Sequence, residues 1–292
     1  MRRALPLVLL PLLGACAARV APMAPAALSP EPAGMQYLYG SGEGAAISRQ
    51  AWSALTFYVA GTLGGKDRRG VVLAPDATLA APRFLPCAGR PPAAVFDVDE
   101  TVLLNLGFEY DVLARHHSGF DDARWDRWEK TGGAAVAPTP GAKEAIDSLR
   151  AMGVTVIFNT NRFAANAVQT ARAITDAGLG PAVHGETLFL AGDDATGSHK
   201  DGRRQRIAAR WCVIAMGGDQ LGDFSDLFNA IASPADRRAA TAAPGIAAMW
   251  GHGWFVLPNP VYGAALKGDA ETIFPADRRW RDPADLSKKE PN

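Results

Sequence analysis

Apolar and polar residues alternate along this chain in a way that predicts short strands separated by helices. Five apolar runs have the length of buried strands, and they span residues 93–99, 154–158, 186–191, 212–216 and 254–257. Stretches with apolar residues at helical spacing lie before or between them, at 47–63, 140–153, 164–177 and from residue 200 onward. Strands that alternate with helices indicate an α/β fold with a doubly wound parallel sheet of about five strands.

A long connection follows the first strand and predicts a small helical cap over the strand ends. Residues 102–138 exceed the length of an ordinary crossover loop, and they contain several aromatic residues, Trp125 and Trp128 among them. These two tryptophans are spaced so that they share one face of a helix. Both can belong to the core of the cap, which is the interpretation that we favour for Trp128.

The first 16 residues have the features of an export signal. Residues 1–3 include two arginines, and residues 4–13 form an apolar stretch that is too short to span a bilayer. Residues 13–16, Leu-Gly-Ala-Cys, resemble the lipobox of bacterial lipoproteins, in which the cysteine becomes the lipidated first residue. An ordinary secretory signal with an incidental Cys16 is the alternative. Both interpretations predict an exported protein, and lipidation predicts an anchor at the outer membrane.

The remaining segments divide the chain further. Residues 17–34 are rich in Ala and Pro and nearly uncharged, which is typical of a tether that buries no core. Residues 35–92 carry the first helix, residues 93–268 carry the strands and the cap, and residues 269–292 have the weak pattern expected of a tail along the surface.

The charge balance argues against one class of function, and the cysteines raise the question of a disulfide. The chain has 292 residues and a formal net charge of zero, with no basic block longer than a pair of arginines, which argues against nucleic-acid binding. Cys87 and Cys212 remain beyond the export signal. An oxidising compartment would permit a disulfide between them, and two buried free thiols are the alternative.

Two carboxylates one residue apart follow the first predicted strand. Because parallel sheets place their chemistry beyond the carboxyl ends of the strands, Asp97 and Asp99 stand where a site is expected. Two like charges so close call for a cation, and Mg²⁺ prefers oxygen ligands. Asp97 could attack phosphorus, and Asp99 could protonate the leaving oxygen and then activate water. A solvated turn or a helix cap is the alternative for this pair.

Other strand ends carry polar residues that suit phosphoryl transfer, which needs positive charge and hydrogen-bond donors around the phosphoryl oxygens. Thr160 offers a hydroxyl, Lys200 offers a compact charge, and Asp219 and Asp223 offer oxygens to a metal. Each also has an ordinary structural explanation: Thr160 could cap a helix, Lys200 could be solvated, and the two aspartates could belong to a turn. That all these explanations hold in the right order, each at a strand end or at the helix that follows a strand, would be a coincidence.

These motifs resemble those of a known superfamily. Residues 97–101, Thr160, Lys200 and residues 218–223 look like the four signature motifs of the haloacid dehalogenase (HAD) superfamily. Within it, the chain is similar to the bacterial class C acid phosphatases typified by lipoprotein e. The stretches that carry this closer resemblance are the lipobox and residues 97–105, 125–128, 140–142, 160–162, 200–204, 218–224 and 256–263.

The resemblance implies a five-stranded Rossmann-like core with a helical cap. It implies Mg²⁺ held by the Asp97 carboxylate, the backbone carbonyl of Asp99 and Asp219, with Asp223 nearby. It also implies hydrolysis of phosphomonoesters outside the cytoplasm, including 5′-nucleotides and nicotinamide mononucleotide. The expected activity is therefore that of an acid phosphatase or 5′-nucleotidase, with aryl phosphates as further substrates and a phospho-aspartate intermediate.

The resemblance also places substrate contacts. Trp125 and Tyr262 would sandwich the ring of the substrate, and Asn161 and Arg162 would help to bind it. Stacking suits broad specificity, because every base has a π-face. The chain departs from the family pattern in two places, since residues 264–265 are Ala-Ala where Trp-Glu is common and residue 222 is Gly where an acidic residue is usual.

Two other functions remain open at this stage. One is a phosphotransferase on the same fold, and the other is a non-catalytic surface lipoprotein that captures haem or a nucleotide. The second fits the sequence less well, because binding alone requires no nucleophile. The expected partners are small phosphomonoesters and, through a lipid anchor only, a membrane; no nucleic acid is expected, and a homodimer is allowed for.

Overall fold

The structure, a computed structural model, describes residues 32–65 and 68–282. The predicted signal at 1–16 with its lipidation site Cys16, and most of the predicted tether at 17–34, lie outside the described residues. The last ten residues of the predicted tail lie outside them as well. No helix within the described ranges is long and apolar enough to cross a membrane.

Strands and helices alternate through the described part of the chain. The strands are β1 (Pro92–Phe96), β2 (Leu103–Leu104), β3 (Ala137–Pro138), β4 (Thr155–Phe163), β5 (Leu188–Ala191), β6 (Cys212–Gly218) and β7 (Trp254–Val256). The α-helices are α1 (Ala33–Met35), α2 (Gly42–Gly64), α3 (Leu106–Ala114), α4 (Asp122–Thr131), α5 (Ala142–Ala151), α6 (Ala167–Asp176), α7 (Asp201–Arg210), α8 (Pro234–Ala240), α9 (Pro244–Ala247) and α10 (Ala270–Ile273). A π-helical turn, Gln36–Gly40, joins α1 to α2.

Five strands form one parallel sheet in the order β5-β4-β1-β6-β7. The first strand in the chain, β1, therefore lies at the centre, with β4 and β6 on either side. The predicted α/β fold with a parallel sheet of about five strands is confirmed. The carboxyl ends of β1, β4 and β6 meet at one edge, where such sheets carry their sites.

The sheet is buried on both faces because the side chains of each strand alternate. Ala94 and Phe96 of β1 face a cluster that includes Trp52 and Leu55 of α2. Ala93 and Val95 face a second cluster, which includes Ile207 of α7, Phe224 and Trp254. Burial on both sides explains why the strands read as continuous apolar runs.

The cap lies between β1 and β4. Strands β2 and β3 pair in antiparallel register, Leu103 with Pro138 and Leu104 with Ala137, and close the base of the insertion. Helices α3 and α4 lie between these strands. Trp125 and Trp128 therefore stand on the second of two short helices beside the carboxyl ends of the main sheet.

Two elements differ most from the sequence-based expectation at their ends. The second predicted strand was expected to end at residue 158, but β4 continues to Phe163, because Phe163 pairs with Ala191 beyond an irregularity in the register. Helix α2 begins five residues before the predicted start, at Gly42, where the Ser41 hydroxyl caps it by accepting from the amide of Gly44 at 2.9 Å. The glycines at this end hide the helical pattern.

The two cysteines form a disulfide, Cys87–Cys212, which decides between the two alternatives that the sequence left open. Cys212 begins β6, and its amide donates to the carbonyl oxygen of Pro91 just before β1. The bond therefore lies at the amino-terminal edge of the sheet, opposite the edge that carries the acidic residues.

Candidate active site

Three aspartates meet at the carboxyl ends of the central strands. Asp97 follows β1, Asp219 follows β6, and Asp223 ends a 3-10 turn directly after it. Their side chains are buried, and one carboxylate oxygen from each lies within 4.8 Å of the others. The amide of Asp97 donates to the carbonyl oxygen of Gly217 at 3.0 Å. Pairing of β1 with β6 therefore brings together acidic groups that are far apart in the sequence.

A glycine permits the close approach of this group. A Cβ atom on Gly218 would lie 2.3 Å from the Cβ of Asp223, so any other residue at this position would push the turn away. The turn is closed by a capping box, in which the Gln220 side chain and the Asp223 carboxylate bond each other's backbone amides. The loop after β6 is therefore shaped to hold Asp223 against the other two aspartates.

Lys200 bridges two of the three aspartates. Its Nζ donates to Asp97 and to Asp223, the latter at 2.7 Å. The residue is 5% exposed, so the interpretation as a solvated helix residue is wrong. It precedes α7, where Asp226 accepts from its backbone amide at 3.0 Å and fixes its position. Although burial favours the neutral amine, the carboxylates of Asp223 and Asp97 raise the pKa of Lys200.

The acidic cluster carries more negative charge than its protein partners neutralise. Burial raises the pKa of Asp97 well above its ordinary value, Lys200 opposes the shift, and the neighbouring carboxylates add to it. Burial and the charge of Asp223 raise the pKa of Asp219 to about 7. Among the ion pairs of the described residues, only those of Lys200 involve these aspartates. One cation thus faces three carboxylates.

This donor set fits a divalent metal ion. Asp97, Asp219 and Asp223 supply carboxylate oxygens, which hard cations prefer, and they are close enough to share one ion. A charge of +2 would balance the net charge of three carboxylates and one ammonium group. The sequence-based assignment of metal ligands to these three positions is consistent with their meeting, while the assignment to the backbone carbonyl of Asp99 stays a prediction.

The carboxylate of Asp99 is held by three neighbouring side chains. Arg162 donates to its Oδ1 through Nε at 2.9 Å and Nη2 at 2.7 Å. Asn105 donates to the same oxygen at 2.9 Å, and the Thr160 hydroxyl lies 3.4 Å from the other oxygen. Asp99 nevertheless lines the cavity described below. The carboxylate is thus fixed from behind while it faces the site.

Residues 160–162, at the end of β4, differ in whether they line the cavity described in the next paragraph. Asn161 lines it, with its side-chain oxygen accepting from Arg203 at 2.7 Å. Thr160 and Arg162 are buried behind it, and the Thr160 hydroxyl accepts from the amide of Arg162 at 3.1 Å. The guanidinium of Arg162 contacts Asp99 and Asn105. These contacts place Thr160 and Arg162 beside Asp99, and their assigned roles, a catalytic hydroxyl for Thr160 and substrate binding for Arg162, stay predictions.

A cavity of about 610 Å³ opens above the aspartates. Its walls include the two predicted stacking residues, Trp125 from α4 and Tyr262 from the loop after β7. Trp125 meets Phe108 of α3 edge to face, with ring centroids 4.9 Å apart. Trp128 does not line it; its indole N–H donates to Asn105 at 3.2 Å. This volume and these aromatic walls are typical of a small-molecule site.

A buried glutamate without a sequence-predicted role organises one side of the cavity. Glu100 accepts from the hydroxyl of Tyr262, from that of Tyr39 at 3.2 Å and from the amide of Asn105 at 2.8 Å. Burial and the charge of Asp99 raise the pKa of Glu100 to about 7. Glu100 lies between Asp99 and Thr101 in the first motif, and this position could have indicated a role at the site. Nothing in the sequence pattern pointed to Tyr39 as its partner.

Asp219 is also oriented by residues that the sequence analysis did not assign. Asn259 donates to its Oδ2 at 2.7 Å, Gln220 to the same oxygen at 3.0 Å, and the Thr101 hydroxyl to its Oδ1 at 3.1 Å. Asn259 comes from the loop after β7, so a fourth strand of the main sheet contributes to the site. Asn259 lies in the stretch 256–263, which carries part of the family resemblance, but no role was predicted for it.

The fold and the cluster define the class of protein, an α/β enzyme built to handle phosphoryl groups. Residues 48–265 match the family described as HAD superfamily, subfamily IIIB (acid phosphatase), and the chain belongs to this family. It is therefore a phosphoric monoester hydrolase. The resemblance inferred from the motifs is confirmed.

Solved structures of one related enzyme share the fold. The class C acid phosphatase from Bacillus anthracis with tungstate bound matches with a TM-score of 0.62 and 22% identity. A second structure of that enzyme gives 0.63 and 23%. Both comparisons cover 82% of this chain and 92% of the other. A comparison with curated proteins found no match.

The contact between Arg162 and Asp99 predicts a specific kinetic effect. Arg162→Lys keeps the positive charge but loses the two-pronged contact with Asp99. We expect kcat to fall about 10- to 100-fold, because a misplaced acid/base group loses most of its contribution, with little change in KM. Steady-state kinetics with phenyl phosphate measure both constants, and Arg172→Lys, on the surface of α6, is the control. A rise in KM at constant kcat would instead support direct substrate binding.

Proposed function

We propose that this acid phosphatase is an exported, Mg²⁺-dependent enzyme that hydrolyses 5′-nucleotides, nicotinamide mononucleotide and aryl phosphates through a phospho-aspartate. The observation that carries the proposal is the meeting of Asp97, Asp219 and Asp223 with Lys200 at the floor of an aromatic-walled cavity. This arrangement combines a nucleophile, compensating charge and a surface for a flat leaving group.

Asp97 is the nucleophile in this mechanism. Its carboxylate attacks phosphorus, the bond from phosphorus to the leaving oxygen breaks, and Asp99 gives a proton to that oxygen. Asp99 then takes a proton from water as the water attacks phospho-Asp97, which releases phosphate and restores both carboxyl groups. Lys200 lies against Asp97 and stabilises the negative charge of the phosphoryl oxygens.

The metal would be held by the carboxylates of Asp97, Asp219 and Asp223. When bound, Mg²⁺ would neutralise charge on these carboxylates and on the phosphoryl group. Asn259, Gln220 and Thr101 orient Asp219 toward this role, since second-shell hydrogen bonds fix the geometry of metal ligands.

The substrate class follows from the walls of the cavity. Trp125 and Tyr262 offer ring faces on which a flat group can stack, and such contacts contribute roughly 1–3 kcal/mol per base in nucleic-acid binding proteins. The Tyr262 hydroxyl is occupied by Glu100, which holds the ring in place. A ring preorganised in this way costs little entropy on binding.

Export is supported by two independent features. The amino-terminal pattern that ends at Cys16 is typical of a lipoprotein signal. The disulfide Cys87–Cys212 is the kind of bond that persists in oxidising compartments. Lipidation of Cys16 would anchor the enzyme, at the outer membrane in our proposal.

Metal dependence can be tested with the purified enzyme. We expect release of inorganic phosphate from inosine 5′-monophosphate, nicotinamide mononucleotide and phenyl phosphate to stop after treatment with EDTA and to return with added Mg²⁺. EDTA already saturated with Mg²⁺ is the control. Full activity in excess EDTA would contradict the proposed metal, and transfer to an added alcohol in place of release would favour a phosphotransferase.

The nucleophile can be tested by one substitution. Asp97→Asn should lower kcat by at least about a thousandfold, because an amide is a poor nucleophile and a poor metal ligand. The control Asp122→Asn changes an exposed aspartate of the cap. Colorimetric phosphate release measures the rate, and circular dichroism checks the fold. Activity of Asp97→Asn within tenfold of the wild type would refute the assignment.

The anchor can be tested in bacteria that produce the full chain. We expect the wild type in the outer-membrane fraction, where detergent but not salt releases it, because a lipid chain inserts into the bilayer. Cys16→Ser should appear in the soluble exported fraction. Labelling with a fatty acid provides the second measurement. A Cys16→Ser protein that stays in the membrane would argue against the lipid anchor.

A further inference from the structure

One acidic residue of the cavity wall has no part in the chemistry proposed above. Glu109 of α3 is 7% exposed, lines the cavity and stands on the cap, away from the aspartate cluster. Within the described parts of the chain, no group donates a hydrogen bond to its carboxylate. Burial raises the pKa of Glu109 to about 7, and the charge of Arg124 opposes this shift. A carboxylate so placed is costly unless something else satisfies it.

A basic residue of the same wall has buried donors without a partner. Arg124 of α4 lines the cavity, and its Nε and Nη1 atoms are buried without a hydrogen-bond partner among the described residues. Its guanidinium lies over the ring of Phe108, 4.8 Å from the centroid. No ion pair in the described ranges joins Arg124 to Glu109. The wall of one cavity thus carries an acceptor and a donor, and no hydrogen bond or ion pair among the described residues joins them.

Their neighbours in the sequence are the aromatic residues of the wall. Glu109 follows Phe108 on α3, and Arg124 precedes Trp125 on α4, while Phe108 and Trp125 pack against each other. A ring stacked on Trp125 would therefore lie in the cavity whose wall also carries Glu109 and Arg124. Buried polar groups that await a ligand discriminate strongly against ligands that leave them unpaired.

We propose that Glu109 and Arg124 recognise the polar edge of the leaving group, favouring planar rings that carry an N–H donor beside a carbonyl acceptor. This inference rests on the proposed action on nucleotides and deepens it. The carboxylate of Glu109 accepts from the ring N–H, and the guanidinium of Arg124 donates to the carbonyl oxygen. Stacking alone reads no such edge, so this pair adds selectivity to an otherwise permissive clamp.

Two substrates that stack alike but differ at this edge test the proposal on the wild-type enzyme. Inosine 5′-monophosphate carries the N–H and the carbonyl, whereas the 5′-monophosphate of unsubstituted purine riboside lacks both. We expect kcat/KM to be at least about tenfold higher for the inosine compound, since hydrogen bonds to charged groups are the stronger ones. Equal values for the two nucleotides would overturn the inference.

Variants assign the selectivity to the two residues. Glu109→Leu and Arg124→Met should each reduce the ratio of kcat/KM between inosine 5′-monophosphate and the purine compound by about tenfold. Asp122→Leu, which removes an exposed carboxylate of the same cap, should leave this ratio as in the wild type. Glu109→Gln, which keeps an acceptor oxygen, should restore part of the ratio. A uniform loss on both substrates would mean that the two residues only support the fold.

Phenyl phosphate separates this inference from the proposed function. If the wild type hydrolyses phenyl phosphate but neither nucleotide, the proposed action on nucleotides fails, and the inference fails with it. If both nucleotides are hydrolysed at the same efficiency, only the inference fails. A preference that disappears in Glu109→Leu or Arg124→Met supports both.

Discussion

Three carboxylates are held together out of water at the edge of the central sheet, and the site is built around their mutual repulsion. Asp97, Asp219 and Asp223 would drift apart or take up protons if only solvent balanced them. Strand pairing prevents the first outcome, because β1 and β6 are neighbours in a sheet that is buried on both faces. Lys200 makes protonation of the aspartates less favourable but does not prevent it, since one cation does not balance three anions. The stability of the fold therefore keeps the three carboxylates together, and this arrangement favours the binding of a cation.

A chain of hydrogen bonds connects the chemistry with the walls of the cavity. Asn105 donates to both Asp99 and Glu100, and Glu100 holds the hydroxyl of Tyr262. Arg162 donates to Asp99 and to Asn105. The acid/base candidate and a stacking ring thus share one buried network, so that a shift in either is resisted by the other. Networks of this kind are favourable only when every member is satisfied, which is the case for Asn105 here.

The sequence predicted the sheet and the aspartates for the same reason. Apolar runs mark buried strands, and polar residues directly after such runs must lie at one edge of a parallel sheet; Asp97 and Asp219 follow from that rule. The rule gives the position of a residue along the chain but not the direction of its side chain. It could not show that Arg162 turns toward Asp99, or that Glu109 and Arg124 face one cavity. Pairing of Cys87 with Cys212 likewise required the order of the strands, because spacing alone does not set connectivity.

The segment before the family match belongs to the site as well. The match begins at residue 48, yet Tyr39 donates to Glu100 and Met35 lines the cavity. Gly34 packs so tightly on the loop after β7 that a Cβ there would lie 1.9 Å from the carbonyl oxygen of Pro260. The amino-terminal segment is thus fixed against the loop that carries Tyr262. A tether from Cys16 would join the domain beside the cavity. One of the three residues that donate hydrogen bonds to Glu100 is Tyr39, which precedes the family match.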